Sequence, residues 1–176
     1  MTEPVGYLNS GWSYLRVAEH TYYCCEVGSL KLSFLDPVTT LVGHAIELEL
    51  KSLIWHESKC AAPFTHDLEA LFQQARKYGL NMNLSSDDSD ALRLLSGEVG
   101  VAPYALRYLK TGVAIRIPHL NLFELARRMF DQIEPILLPD AVDKHGKRTL
   151  REPIPNFPKS HSLTLEEAAE QLSSLI

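Results

Sequence analysis

Cysteine is scarce in this chain and badly placed for cross-linking. There are three in 176 residues, Cys24, Cys25 and Cys60, two of them adjacent. An odd count without a CxxC spacing makes a poor disulfide framework, so reduced, largely buried thiols are expected. His56 and Cys60 stand four apart, as two ligands on one helix face would, but no second ligand pair accompanies them and no metal site is predicted. Long apolar runs are also missing. None approaches the roughly 18 residues that a membrane span needs, and the opening Met1 to Gly6 has neither the basic segment nor the apolar core of a secretion signal. A cytoplasmic protein that does not enter membranes is the expectation. The sequence lacks a P-loop, GxGxxG, GxSxG and HExxH, which excludes the common nucleotide-loop, esterase and zinc-protease signatures and predicts no cofactor. The net charge of −5 gives no global attraction to nucleic acid and leaves only local basic patches.

What remains is ordinary globular material, 45% hydrophobic and 22% charged, in a chain long enough for one sizeable core. Its apolar spacing is helical. A first helix is predicted from a cap at Asn9 or Ser10 to about Val27, with Trp12, Leu15, Ala18, Tyr22 and Cys25 on one face. Asp36-Pro37 starts a second that reaches Trp55 to Ser58. Thr65 or Asp67 opens a third, which closes at Gly79, and the run Ser85 to Asp90 caps a fourth ending near Gly97. Residues 101–118 are less regular, with a helical turn over 103–109 and an extended alternation over 113–117. Asn121 caps a fifth helix carrying Leu122, Phe123, Leu125, Ala126, Met129, Phe130 and Ile133, which Pro135 should end or kink. The predicted architecture is all-α, an up-and-down antiparallel helical bundle over residues 1–138. A proline-rich arm over 139–162 and a C-terminal helix over 163–176, capped by Thr164 and Glu167, complete the chain.

The second helix is unusual. It is apolar nearly all the way round, yet His44, Glu47 and Lys51 share one stripe at i, i+3 and i+7. Buried ionisable groups are costly unless paired, so the stripe is either a polar pocket or a salt-bridged network that fixes how neighbouring segments meet. Glu47 and Lys51 are in the favourable i, i+4 order, which supports the network. His66-Asp67 stands at the start of the third helix, where a histidine can bridge to a neighbour and an aspartate suits the helix dipole. Arg107, followed by Tyr108, can pair with Glu47 in a bidentate fork or bind a phosphate. Lys144, Lys147, Arg148 and Arg151 form the clearest basic cluster, either simply solvated or in contact with phosphate or RNA.

Taken together, Pro37…Leu41-x-x-His44-Ala-Ile-Glu47-Leu-x-Leu-Lys51, then His66-Asp67-Leu68-x-x-Leu71, then Arg107-Tyr108, resemble the HEPN superfamily, the higher eukaryotes and prokaryotes nucleotide-binding domain, over about residues 10–112. The resemblance implies a compact, mostly antiparallel bundle that often dimerises. It also implies a place among RNA nucleases, toxins with nucleotidyltransferase partners, or defence systems. Catalytic members use an arginine and a histidine spaced as Rx4–6H. The nearest counterpart here, Arg16-Val17-Ala18-Glu19-His20, is one residue short, although Arg16 and His20 would still share a helix face. The expectation is a HEPN-like domain that binds a nucleotide, RNA or a protein partner without catalysis. The alternatives are a metal-independent ribonuclease using Arg16 and His20, and a purely structural or assembly subunit.

Overall fold

Five α-helices and no strand are found among the described residues of the computed structural model, which are 4–31, 35–96, 118–137 and 139. They are α1 (Pro4–Glu26), α2 (Leu35–Ser58), α3 (Leu68–Lys77), α4 (Ser86–Ser96) and α5 (His119–Leu137). The chain is an all-α bundle. Arg107, Tyr108, the basic cluster at Lys144, Lys147, Arg148 and Arg151, the proline-rich arm and the C-terminal helix lie outside the described residues.

The first helix starts at Pro4, not at a cap near Asn9. Proline's fixed φ suits a first helical turn. The extra turns also carry Leu8 fully into the core, and Asn9 is an interior residue whose carbonyl accepts from the Ser13 hydroxyl at 2.8 Å. The fifth helix likewise begins before Asn121, at His119, with the Pro118 carbonyl accepting from Asn121 N at 3.0 Å. Pro135 does not end it. The helix runs on to Leu137, whose full burial rewards the last turn, while Pro135 itself stays at the surface.

The second helix begins at Leu35, so Asp36 lies inside it and does not cap it, whereas the end signals of α3 and the start of α4 hold. Asp67 caps α3 by accepting from Ala70 N at 2.9 Å. Gly79 (φ +99°) closes that helix in the left-handed conformation, with Leu80 N bonded to Ala75 O and Gly79 N to Arg76 O, the two bonds of a Schellman turn. Ser85 and Asp88 form a reciprocal capping box at α4: Asp88 N donates to Ser85 Oγ at 3.1 Å and Ser85 N to Asp88 Oδ2 at 2.9 Å.

Contacts along the long helices set their directions. Tyr7 meets Trp55, Gly11 meets Ala45 and Glu49, and Tyr14 meets His44, so α1 and α2 run antiparallel. Trp12 meets Phe130 and Tyr22 meets Phe123, so α1 and α5 are antiparallel too. Consequently α2 and α5 run the same way, while α3 and α4 form a short hairpin with Leu68 N bonded to Ser96 Oγ at 2.9 Å. The α2 helix touches all four others, which explains its all-round apolar sequence.

Gly11 permits the close approach of α1 to α2. A Cβ there would lie 3.0 Å from the Ala45 carbonyl oxygen and 3.1 Å from Glu49 Cγ. Backbone cannot yield as a side-chain tip can. Forcing the helices apart costs about 1–3 kcal/mol, against about 1 kcal/mol that alanine gains in helix propensity. Gly11→Ala is therefore expected to lower stability in urea denaturation, by about 1 kcal/mol net; a stabilised variant would show that the seam has slack.

Candidate functional site

The three stripe residues of α2 do meet, and His66 joins them. Glu47 Oε1 accepts from Lys51 Nζ at 2.9 Å and from His66 Nδ1 at 2.8 Å, and His44 Nδ1 stands 3.8 Å from Oε2. At that distance His44 contributes electrostatic attraction and not a formed hydrogen bond. The hub is graded from inside to outside. Glu47 and Lys51 are buried, whereas the imidazoles of His44 and His66 are 34% and 30% exposed. Burial pushes the Glu47 carboxyl up, but the His44 imidazole, the bond from Lys51 and the charges of Lys51 and His66 together outweigh it and hold the group at about 2. Glu47 is thus an anion at neutral pH; it orients the His66 imidazole through its Nδ1 edge and faces the His44 Nδ1 at 3.8 Å.

An aromatic ring flanks each histidine. Tyr14 of α1 lies edge-on to His44 with centroids 4.8 Å apart, and Phe64 stands 6.1 Å from His66. Phe64 is fully exposed and Tyr14 is about one-third exposed. The hub therefore opens on a surface of two imidazoles, each beside an aromatic ring. Asp67, beside His66, spends its carboxylate on the α3 cap.

Arg16 and His20 do not form a pair. Arg16 leans on Glu19, with Nη1 at 3.8 Å from Oε2, and the His20 ring lies 3.7 Å from Cys24 Sγ. The helix α2 ends at Ser58, before Cys60, so His56 and Cys60 do not share a helix face; His56 Nδ1 is 2.8 Å from Glu57 Oε1. Among the described residues no group of three His, Cys, Asp or Glu side chains is placed to hold a metal ion, and no helix is long and apolar enough to cross a membrane.

Three charged arrangements escaped the sequence reading. Glu19, buried in α1, accepts from Arg127 Nε of α5 at 2.6 Å. Asp88 uses its second oxygen to accept from Arg128 Nη2 at 2.6 Å; burial raises its carboxyl, but the bonds from Arg128 and Ser85 bring it below the usual range. Glu49 is fully buried, and neither of its oxygens has a hydrogen-bond partner among the described residues. A signal existed for two of them. Glu19 falls on the Leu8, Trp12, Leu15, Tyr22 stripe and Glu49 on the Val42, Ile46, Leu53 stripe, each a charge at a core position. Nothing in the sequence announces that Arg127 reaches Glu19 from 108 residues away.

Comparisons with protein-family models, curated proteins and solved structures find no match. What fold and site define together is a class: an all-α bundle whose central helix buries a carboxylate hub beneath a histidine-and-aromatic surface.

Proposed function

We propose that this chain is a HEPN-like binding module that holds a nucleotide or a single-stranded RNA segment against the His44–His66 surface, without cleaving it. The observation that carries the reading is the Glu47 hub. One buried carboxylate holds the His66 imidazole by a hydrogen bond and faces the His44 imidazole at 3.8 Å, and each of these partly exposed rings stands beside an aromatic ring. Unstacked bases bind by stacking on aromatic faces, at about 1–3 kcal/mol per base, while cationic donors take the phosphates. The sequence pattern through His44, Glu47, Lys51, His66 and Asp67 supports the same reading by resemblance.

The ribonuclease reading is weaker because Arg16 lies against the Glu19 carboxylate, which offsets its charge, and His20 leans toward Cys24. Calorimetric titration with nucleoside triphosphates and a short single-stranded RNA tests the binding. Native protein is expected to bind, and Phe64→Ala or His44→Ala to weaken binding roughly tenfold, the exposed Phe64→Ala with melting temperature unchanged. Silence across the panel would defeat the proposal, and co-purification of a protein in place of nucleic acid would move it to a protein partner. A labelled-RNA assay is expected to show no cleavage; cleavage lost in His20→Ala would restore the catalytic alternative.

A further inference from the structure

We propose a metal-ion site at the C-terminal end of α1, where His20 Nε2 and Cys24 Sγ together chelate a divalent cation of the zinc class. The spacing is the one that fails at His56 and Cys60, because α2 stops at Ser58. At His20 and Cys24 it falls inside one continuous helix, so both side chains share a face. Their ligand atoms lie 3.7 Å apart. Zinc binds thiolate sulfur at about 2.3 Å and imidazole nitrogen at about 2.0–2.1 Å, so a tetrahedral ion holds the two about 3.6 Å apart. The pair already stands at the bite such an ion requires.

The surroundings suit a cation as well. His20 is exposed and Cys24 is buried, so the ion is seated on the sulfur and reached from solvent along the imidazole. Neither side chain makes any other hydrogen bond or ion pair among the described residues. Cys24 lies in the last turn of α1, where the helix dipole favours positive charge and no basic side chain stands. The single arginine of α1, Arg16, lies against the Glu19 carboxylate. Cys25 takes no part, since its thiol donates to the Lys31 carbonyl at 3.5 Å. Among the described residues no third His, Cys, Asp or Glu completes the set. Two protein ligands leave the other positions to water or an incoming group, the open arrangement of an exchangeable ion and not of a structural one. Burial, and then the neighbouring Cys25, raise the Cys24 thiol above its ordinary pKa, so the ion displaces a proton as it binds.

Titration of the full chain, thiols kept reduced, with Co²⁺ and then Zn²⁺ tests the site with the metals alone as probes. Cobalt is expected to raise a thiolate-to-metal charge-transfer band, and zinc to remove it. His20→Ala and Cys24→Ser are each expected to weaken binding of both ions roughly tenfold or more. Cys60→Ser and His56→Ala are expected to change nothing. His44→Ala should also leave the band intact, which keeps this site distinct from the Glu47 surface. Should the buried Cys24→Ser variant fail to fold, His20→Ala at its exposed position makes the test alone. Native protein without a thiolate band, or a band as strong in His20→Ala, would overturn the proposal. So would a band that disappears in Cys60→Ser, since the metal would then sit on the exposed thiol.

Discussion

Replacing Glu47 with alanine is expected to cost about 3–5 kcal/mol of stability, because it leaves Lys51 buried without its partner. Native domains hold only about 5–15 kcal/mol in all, so the variant should lie near its unfolding threshold at ambient temperature. The loss should exceed that of either histidine variant, since His44 and His66 are partly exposed and Lys51 is not. The same hub fixes an acid dependence. The folded carboxyl titrates at about 2, against 4.5 for an ordinary glutamate, so the hub's stabilisation is complete above pH 4.5 and lost as the pH falls toward 2. At about 1.4 kcal/mol per pKa unit, that is about 3 kcal/mol withdrawn in acid. Urea denaturation of native protein and Glu47→Gln between pH 2 and 6 measures it. The variant should keep only the smaller slope that Asp88 contributes, and equal slopes would show that Glu47 is not held by its neighbours.

Glu49 should behave in the opposite sense. Burial, and then the charge of Asp131, raise its carboxyl well above 4.5, and no hydrogen bond compensates among the described residues. The folded protein keeps this proton at a pH where the unfolded chain has released it. Stability contributed by the neutral acid is therefore fully present below pH 4.5 and falls by about 1.4 kcal/mol per pH unit as the pH rises toward the folded value. Glu49→Gln should flatten that slope. Glu49→Leu should go further, since it also removes a buried polar group costing about 1–3 kcal/mol, and should melt higher than native protein at pH 8. With the Glu47 term rising and the Glu49 term falling, these two groups place maximum stability near pH 4.5. A Glu49→Leu protein no more stable than native at pH 8 would mean that Glu49 is solvated or paired in solution.

The two glutamates also show what the sequence makes legible. Glu47 was readable because its partners lie on its own helix at i−3 and i+4 and, in His66, at a capping motif. Periodicity alone aligns the first two. Glu49, two residues on, lies on the opposite side of the same helix, and its significance depends on what α1 and α5 bring there. Gly11 brings α1 to within contact of Glu49 Cγ on that side. Helix existence was readable for the same reason as Glu47, from local apolar spacing. The start of α1 was not, since Asn9 resembles a cap and only the burial of Leu8 decides for Pro4. Likewise Pro135 is a breaker by local rule, overridden by the burial of Leu137. Arg127 on Glu19 and Arg128 on Asp88 are long-range pairings with no local signature.

The most direct test of the proposed ligand surface follows the imidazole resonances of the native protein by NMR while a short single-stranded RNA or a nucleoside triphosphate is added. His44 and His66 are expected to shift together and saturate, while His56, held against Glu57 near the end of α2, stays in place. A ligand that binds without moving either hub histidine would contradict the assignment of this surface.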